Sequence, residues 1–315
     1  MSYPDIEPYK VHHLPVSDLH TLYVEESGNP EGIPILLIHG WPGSRSKPDK
    51  RTSYHPQKRR VIQYDQRGCG QSTPFGELHE NTTQHLVEDI EKIRVHLGID
   101  KRVVHGGSWW STLALAYGQT YPSSLLGFLL RWIFTARKQE SDRVYVTGNA
   151  NMFFPEVREK FTELVPEPYQ DDPRPYYIEQ LLESNEGNPE LSKRRWQQES
   201  ALLTLLPRQD DLYVWSDTTS LLMNKLFLWY EKDRYFLEEW QLLAEDNLKK
   251  ITHLPCVIIN GRYDMVCPPV TAWELHKKRP WSELHIIQDA GHLWSEPSIY
   301  AKIIEVAEQF AQKFA

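Results

Sequence analysis

A serine, an aspartate and a histidine in this chain each stand shortly after an apolar segment with the length of a buried strand: Ser108, Asp264 and His292. An alcohol is a poor nucleophile at neutral pH, but an imidazole can remove its proton while a carboxylate fixes the imidazole tautomer and stabilises the imidazolium. Because open α/β sheets place their ligand sites at the carboxyl ends of the strands, the three side chains are expected to meet there. The sequence therefore predicts nucleophilic acyl-transfer chemistry at Ser108.

The segment around the serine, from His105 to Ser111, lies between a valine pair and an alanine-rich helical pattern. A serine on such a strand-to-helix turn exposes its Oγ, and the next backbone N–H, here that of Trp109, points at the oxyanion. The helix N-terminus adds positive potential at the same place. Trp110 stands where the Gly-x-Ser-x-Gly pattern of these turns has a small residue, so a serine that merely caps the helix is the alternative interpretation of this segment taken alone.

The order serine, aspartate, histidine along the chain is that of α/β-hydrolases, which favours the nucleophile interpretation. Asp289 is a rival acid, but it precedes His292 by only three residues and does not follow a strand of its own. Ser72 is a rival nucleophile, but no helical pattern follows it. His39-Gly40-Trp41-Pro42-Gly43 follows an earlier apolar segment, where these hydrolases place the second oxyanion donor, and the Trp41 N–H is the candidate.

Short apolar segments alternate with helical patterns, which predicts an α/β fold with a mostly parallel sheet covered by helices. The expected strands are at residues 35–38, 61–64, 103–104, 126–130, 256–259 and 284–287, and the expected helices are near residues 86–97, 111–120 and 299–314. Between residues 136 and 250 the pattern changes to long polar and aromatic stretches with helical spacing. We therefore expect an α/β-hydrolase core domain of residues 1–135 and 251–315 with an inserted helical cap domain of residues 136–250.

Composition narrows the class of partner. Lys and Arg number 35 against 43 Asp and Glu, a formal net charge of −8, and the absence of a basic run argues against nucleic acid or an anionic membrane surface. No apolar stretch approaches the roughly 18 residues of a membrane span. Cys69, Cys256 and Cys267 fit neither a zinc site nor a disulfide framework, and no secretory signal opens the chain, so we expect a soluble, cytoplasmic protein with reduced cysteines. No metal or cofactor is implied, a small molecule is the expected partner, and the oligomeric state stays open.

Several motifs together resemble those of the proline iminopeptidases, α/β-hydrolases that release N-terminal proline. The resemblance is carried by residues 39–43, 65–74, 106–118 and 261–268, and by the Gly291-His292 pair. It implies an acyl-enzyme on Ser108 with Asp264 and His292 as its partners. It also implies an oxyanion hole formed by the N–H groups of Trp41 and Trp109, and a peptide substrate.

Three tryptophans depart from the pattern of that family. Trp41, Trp110 and Trp132 stand where the family has glycine, and with Trp109 and Trp294 they place five of the eleven tryptophans beside active-site motifs. An indole buries some 150–250 Å². The substitutions predict a narrowed or reshaped apolar acyl pocket, with filling of the core as the alternative.

The cap departs as well, because the family holds the α-ammonium group of its substrate with two cap glutamates. Glu199 lies one place early in the matching segment, and Leu228 stands where the second glutamate is expected. Glu199 and Glu231 are the possible substitutes, or else solvated helix charges, and Trp229 is a candidate for an apolar roof over the site. Without a paired carboxylate an ammonium group is costly to bury. An apolar ester, lactone or amide, or a related acyl reaction, is therefore the alternative chemistry, and a ligand-binding protein without catalysis is a third hypothesis.

Overall fold

A single eight-stranded sheet forms the centre of the protein. The computed structural model describes residues 2–40, 42–146, 149–184, 186–206 and 217–314. The strand order is β1-β2-β4-β3-β5-β6-β7-β8. The strands are β1 Lys10–Pro15, β2 Thr21–Gly28, β3 Ile33–Leu37, β4 Arg59–Tyr64, β5 Arg102–Ser108, β6 Leu125–Ile133, β7 Cys256–Gly261 and β8 Glu283–Ile287. β2 pairs antiparallel with β1 and β4, and the other pairs are parallel, so the predicted mostly parallel sheet is confirmed.

Helices flank the sheet and fill the interval between β6 and β7. They are α1 Thr83–His96, α2 Trp109–Thr120, α3 Lys138–Tyr145, α4 Asn149–Phe153, α5 Pro155–Thr162, α6 Arg174–Ile178, α7 Pro189–Leu202, α8 Asp217–Lys232, α9 Glu245–Lys249, α10 Pro269–Lys278 and α11 Pro297–Lys313. A π-helical turn, Glu179–Glu183, continues α6, and short 3₁₀ turns lie at Pro48–Ser53, Pro122–Ser124, Glu167–Tyr169, Arg234–Phe236 and Gln241–Leu243. None of the helices in the described ranges combines the length and the apolar character that crossing a membrane requires.

Alternation along the strands gives the sheet two apolar faces. Val104 of β5 packs with α1, α2 and α10 in one buried cluster, whereas its neighbour Val103 packs with α11 in a second cluster. Successive side chains of a strand point to opposite faces, so an uninterrupted apolar strand must be covered on both sides. This is why the inner strands are apolar throughout and why the sheet lies between two helical layers.

The helices between β6 and β7 build a third apolar cluster, which contains Val144 and Tyr145 of α3, Phe161 of α5 and Leu228 of α8. Val266, from the loop after β7, packs against this cluster and joins it to the sheet. The helical insertion has the position expected of the cap. Its assignment as a separate domain of residues 136–250, beside a core of residues 1–135 and 251–315, stays a prediction.

Candidate active site

Ser108 is the last residue of β5, and α2 begins at the next residue, Trp109. No loop residue therefore separates the strand from the helix. The Ser108 backbone has φ 62° and ψ −136°, in a region that residues other than glycine rarely adopt. Gly106 permits the sharp turn, since a Cβ there would overlap the carbonyl oxygen of Trp110. The Ser111 hydroxyl donates to the Ser108 carbonyl at 2.8 Å and stabilises the turn. The sequence thus folds locally so that the serine is presented at the carboxyl edge of the sheet.

A β-bulge lies beside the serine. The register between β5 and β6 passes from Gly107 opposite Arg131 to Ser108 opposite Ile133, so that Trp132 has no partner on β5. Trp132 has a φ of 46°, and this left-handed conformation costs about 1–2 kcal/mol for a residue with a Cβ. A bulge redirects a side chain. The resemblance identified in the sequence places a glycine here, and the positive φ gives the physical reason why a glycine suits the position.

Asp264 and His292 meet at the carboxyl ends of β7 and β8. His292 Nδ1 donates to Asp264 Oδ2 at 2.8 Å and lies 3.0 Å from Oδ1, while the N–H groups of Val266 and Cys267 donate to Oδ1 at 2.9 and 2.8 Å. With its proton on Nδ1, the imidazole keeps a lone pair on Nε2, as a general base requires. Ser108 Oγ lies 4.0 Å from Cys267 Sγ and has no hydrogen bond to the imidazole within the described residues. Such contacts often tighten only when substrate binds.

A carboxylate links the histidine loop to the end of α7. Glu296 accepts from the backbone N–H groups of Gly291 at 2.8 Å, Leu293 at 3.2 Å and Leu205 at 3.1 Å. The His292 N–H donates to the Leu203 carbonyl at 2.9 Å. The position of His292 therefore depends on the helical insertion as well as on the sheet.

The imidazole of His292 also stacks on an indole. The rings of Trp132 and His292 are 4.6 Å apart and inclined by only 25°. An aromatic face attracts a cation, so the indole favours a protonated imidazole at His292. The bulge that strains Trp132 thus places its ring against the His292 ring.

Two cavities open on either side of Ser108, a larger one of about 170 Å³ and a smaller one of about 40 Å³. His292 lines the larger cavity and is absent from the described walls of the smaller one. The smaller cavity has mainly apolar and aromatic walls, which include Trp109, Phe134, Val144, Tyr145, Phe227, Tyr235, Val266 and Cys267, and it also contains Glu140, Ser141 and Glu199. Ser108 therefore lines both cavities, and of their described walls the larger one includes His292.

Glu199 of α7 is almost fully buried in the wall of the smaller cavity. Its Oε1 accepts from the Tyr145 hydroxyl and lies 2.7 Å from Arg195 Nη2. Arg195 is equally buried and stacks over the Phe227 ring at 3.9 Å. Burial raises the pKa of Glu199 to about 7, because loss of hydration outweighs the attraction to Arg195. Glu199 Oε2 is buried and has no hydrogen-bond partner in the described ranges.

The larger cavity has a cationic wall. Its described lining contains four cationic side chains, Arg45, Lys47, Lys50 and Arg131, and no aspartate or glutamate. Arg131 is almost fully buried and lies between the rings of Trp132 and Trp294, with its Cζ 4.1 and 4.0 Å from their centroids. The two cavities thus differ in charge as well as in size.

The predicted site residues separate into three groups. Trp110, Trp132 and Trp294 line the larger cavity with Ser108 and His292, while Trp109 and Glu199 line the smaller one. Leu228, Trp229 and Glu231 line neither cavity within the described residues. The predicted oxyanion donor Trp41 lies outside the described residues.

Leu228, Trp229 and Glu231 lie on α8, and each has its own surroundings away from the described cavity walls. Leu228 is buried in the apolar cluster of the helical insertion, because it faces the other helices rather than Ser108. Trp229 donates its indole N–H to the Asn81 carbonyl at 2.7 Å. Both carboxylate oxygens of Glu231 are buried without a hydrogen-bond partner from the described part of the chain, and burial raises the pKa of Glu231 to about 7.

Trp110 stands where the sequence pattern of these strand-to-helix turns has a small residue, and the structure shows how its side chain is accommodated. The close approach of its carbonyl to Gly106 means that the helix is not displaced from the strand there. The indole instead turns toward the larger cavity, where it meets the His39 ring edge-on at 4.8 Å and covers Gly40. It is both a buried residue and part of the cavity wall.

We expect Trp110→Gly to change selectivity for substrate size and stability together. Removal of the indole enlarges the larger cavity, so substrates with a bulkier group in that cavity should gain kcat/KM relative to small ones, while the lost packing should cost about 3–5 kcal/mol. The measurements are kcat/KM for a series of arylamides of increasing size and the free energy of unfolding in urea. Unchanged selectivity with a loss of that size would show that the indole serves packing alone.

Four residues at or beside the cavities are not identified by any motif: Lys50, Arg131, Tyr145 and Arg195. Two of them leave a signal in the sequence. Arg195 precedes Glu199 by four residues, a spacing that pairs side chains on one helical face. Arg131 interrupts an otherwise apolar strand segment, and a buried arginine needs a partner or a function.

Comparison with known proteins gives the family. Residues 33–296 match the family described as alpha/beta hydrolase fold. A "Probable proline iminopeptidase" of Leptolyngbya boryana is 42% identical over 99% of this chain and 97% of its own length. A "Proline iminopeptidase" of Arabidopsis thaliana is 40% identical, covering 98% and 81% respectively, and one of Neisseria gonorrhoeae is 37% identical, covering 96% of each chain.

Solved structures agree on the fold. An esterase from Exiguobacterium antarcticum has a TM-score of 0.62 at 18% identity and covers 93% of this chain and 96% of its own. A membrane phospholipase A has a TM-score of 0.63 at 14% identity and covers 98% and 86%. The predicted fold class and the predicted resemblance are thereby confirmed: the chain belongs to the proline iminopeptidase family of α/β-hydrolases.

Proposed function

We propose that this protein is a serine hydrolase that releases N-terminal proline from peptides through an acyl-enzyme on Ser108. Relatives named proline iminopeptidases match nearly the whole chain at 37–42% identity, which supports this activity. The Asp264–His292 pair and the strained turn at Ser108 support the same chemistry.

In the proposed reaction the acyl and leaving groups occupy different cavities. Ser108 Oγ attacks the prolyl carbonyl as its proton passes to His292 Nε2, and Asp264 stabilises the imidazolium. His292 then protonates the departing amine, so the leaving group belongs in the larger cavity, which His292 lines. The prolyl group belongs in the smaller cavity, and water afterwards hydrolyses the ester by the reverse proton transfers. The Trp109 N–H, at the start of α2, is the proposed oxyanion donor, with the Trp41 N–H as the second.

The observation that carries this proposal is the unpaired oxygen of Glu199. A buried acceptor without a partner costs about 1–3 kcal/mol, and a ligand that donates to it recovers that energy. Glu199 Oε2 is such an acceptor among the described residues, and Glu199 lines a cavity that Ser108 also lines. The N–H of an N-terminal proline is a donor a few bonds from the scissile carbonyl, and the apolar walls suit its ring.

Pairing of Arg195 with Glu199 weakens the attraction of the smaller cavity for a charged prolyl amine, and this favours a second candidate function. Because Arg195 already pairs with Glu199 at 2.7 Å, the smaller cavity has less negative charge than a lone carboxylate would supply. Phe227 adds an apolar wall. A neutral acyl group therefore fits the same cavity, and an apolar ester, lactone or amide is the alternative substrate class.

We expect Glu199→Gln to remove discrimination between prolyl p-nitroanilide and its N-acetyl form. The wild-type enzyme should favour the free amine by about 100-fold in kcat/KM, the upper range for a hydrogen bond to a charged group. Because the pKa of Glu199 is raised to about 7, its carboxylate gains charge as the pH rises through that value, so the preference should grow between about pH 6 and about pH 8. Glu190→Gln, on the exposed end of the same helix, is the matched control.

Two results would favour the alternative substrate class. One is equal cleavage of the free and acetylated prolyl arylamides by the wild-type enzyme. The other is hydrolysis of small p-nitrophenyl esters with no release of proline from either arylamide.

A cytoplasmic location, expected from the sequence, belongs to the proposal as well, and the three buried cysteines, none of them in a disulfide, are consistent with it.

A further inference from the structure

We infer that the larger cavity beside Ser108 is an anion subsite, in which Arg131 and Lys50 bind the C-terminal carboxylate of a Pro-Xaa dipeptide. The inference rests on the proposed function and names its substrate class: dipeptides, whose leaving group is a single amino acid. Longer peptides and amides would leave the cationic groups unpaired.

The Arg131 guanidinium lies beside Gly107, and Arg131 and Ser108 line the same cavity. Gly107, the residue before Ser108, pairs with Arg131 across the sheet, and a Cβ on Gly107 would stand 3.0 Å from both Cζ and Nη2 of Arg131. In a Pro-Xaa dipeptide the carboxylate carbon follows the scissile nitrogen by two bonds of about 1.5 Å each. Because Ser108 and Arg131 line the same cavity, we place the carboxylate of the leaving group against this cation while the carbonyl carbon is at Ser108 Oγ.

Arg131 is a buried cation, and the part of the chain that the structure describes offers it no anionic partner. Its Nε donates to His105 Nε2 at 2.6 Å, and burial lowers the pKa of His105 well below its ordinary value, so this partner is neutral. Because Nε2 accepts, the proton of His105 is on Nδ1 and faces the Tyr54 hydroxyl. Arg131 Nη1 is buried and has no hydrogen-bond partner among the described residues. A buried charge is stable only when paired, so the site is incomplete without an anion.

Lys50 adds a second positive charge to the wall of the larger cavity. Its Nζ lies 4.7 Å from the centroid of the Trp294 ring, on which Arg131 also stacks. Its salt bridge is to Asp49, at 3.1 Å, and the Asp49 side chain is 62% exposed and does not line the cavity. Two cations thus share one indole, and the carboxylate that faces Lys50 points to solvent.

The burial of these cations has a measurable signature. Loss of hydration lowers the pKa of Lys50 to about 8 and that of Arg131 to about 9. Lys50 faces Asp49, Lys47 and Arg131, and Arg131 faces Tyr54, His105 and Lys50. A depressed pKa means that the cation is present at neutral pH and is lost as the pH rises, so a bound carboxylate should be favoured most below about pH 8.

The two indoles orient the guanidinium for a carboxylate. Trp132 and Trp294 cover the Arg131 guanidinium with centroid distances of 4.1 and 4.0 Å. Stacked rings occupy the faces of the guanidinium and leave its N–H edge for hydrogen bonds, which is the geometry of bidentate carboxylate binding. The departure from glycine at position 132 thereby gains a function in substrate selection.

The test compares kcat/KM for Pro-Gly, Pro-Gly-NH₂ and Pro-Asp-NH₂, with prolyl p-nitroanilide as the neutral reference. We expect Pro-Gly to exceed Pro-Gly-NH₂ by roughly 10- to 100-fold, as a hydrogen-bonded charge pair can supply. Pro-Asp-NH₂ carries its carboxylate on the side chain, and we expect it to behave like the neutral amide. The ratio of Pro-Gly to Pro-Gly-NH₂ should fall as the pH rises above about 8.

Variants of the two cations test the assignment within the same ratio. Lys50→Met and Arg131→Met should each lower the Pro-Gly to Pro-Gly-NH₂ ratio at least about 5-fold, because each removes one partner of the carboxylate. Lys101→Met, an exposed lysine at the opposite end of β5, should keep the wild-type ratio. The Lys50 side chain is 24% exposed, so Lys50→Met remains informative if Arg131→Met fails to fold.

Equal kcat/KM for Pro-Gly and Pro-Gly-NH₂ in the wild-type enzyme would overturn the anion subsite while leaving the proposed function in place, provided that prolyl p-nitroanilide is hydrolysed. A Lys50→Met ratio equal to that of Lys101→Met would also overturn it. Preference for Pro-Asp-NH₂ over Pro-Gly would overturn the assignment to the C-terminal carboxylate. Failure to release proline from any of the four substrates would instead overturn the proposed function, and the subsite with it.

Discussion

Replacement of Ser108 by alanine is expected to lower kcat for prolyl p-nitroanilide by a factor on the order of 10⁴ or more, because no other group can form the acyl-enzyme. Ser108 is 4.0 Å from Cys267 Sγ, but burial and the nearby Asp264 raise the pKa of that thiol, so Cys267 does not replace the serine as nucleophile. Steady-state kinetics measures the loss. Alanine keeps the Cβ of the serine and the backbone of the turn, so the fold should remain intact.

The control for that variant is Ser298→Ala, which removes a hydroxyl on α11 that donates to Asp289 at 2.7 Å, away from both cavities. Its kcat should equal that of the wild-type enzyme. The circular dichroism spectrum and Tm of Ser108→Ala should resemble those of the wild-type protein. A Ser108→Ala enzyme that kept a tenth of the wild-type turnover would contradict the assignment of the nucleophile.

The second large effect is expected for Asp264→Asn, which should reduce kcat by about 10⁴-fold. The amide oxygen can still accept from the Val266 and Cys267 N–H groups, and its NH₂ group then faces His292 Nδ1. This arrangement favours the tautomer that carries its proton on Nε2, which cannot accept the proton of Ser108. The enzyme therefore loses its base while the structure around it is preserved.

Asp289→Asn is the matched control, because Asp289 is the rival acid near His292 and is exposed. It should keep wild-type kcat. If Asp289→Asn lost as much activity as Asp264→Asn, the carboxylate that orients the histidine would have been assigned to the wrong residue.

The sequence identifies the fold class because the inner strands are apolar on both faces, so they stand out in the chain. It does not identify β1 and β2. β2 contains Glu25 and Glu26, which look exposed in the sequence but are buried against Arg51 and Arg60. Buried ion pairs conceal a strand from hydrophobic patterning, since each partner looks polar until the other is brought beside it in space.

The sequence predicts the parts of the site that depend on chain order, and it does not predict the parts that depend on residues brought together by the fold. Ser108, Asp264 and His292 can be assigned by chain order and strand ends, which are properties of the sequence. The cationic wall depends on the meeting of Lys50, before β4, with Arg131 of β6 and with Trp294, after β8. No local spacing encodes that meeting, because it is created by the order of strands in the sheet.

In the helical insertion, matching the sequence to the family pattern does not by itself identify which glutamate faces the site. Glu199 and Glu231 are equal candidates in the sequence, but only Glu199 lines a cavity with Ser108. One helical turn before Glu199, Arg195 changes the charge of the site. A motif identifies the acidic residue, whereas its charge state depends on the neighbours that the fold supplies.

The most direct test of the proposed function is to trap the acyl-enzyme. A prolyl ester should be mixed with the wild-type enzyme, quenched with acid in the first turnovers and digested, and the peptides should be sequenced by mass spectrometry, with Ser108→Ala treated in parallel. We predict one added prolyl group on Ser108, free proline in the supernatant and neither product with Ser108→Ala. A prolyl group on another residue, or proline release by Ser108→Ala at the wild-type rate, would contradict the account.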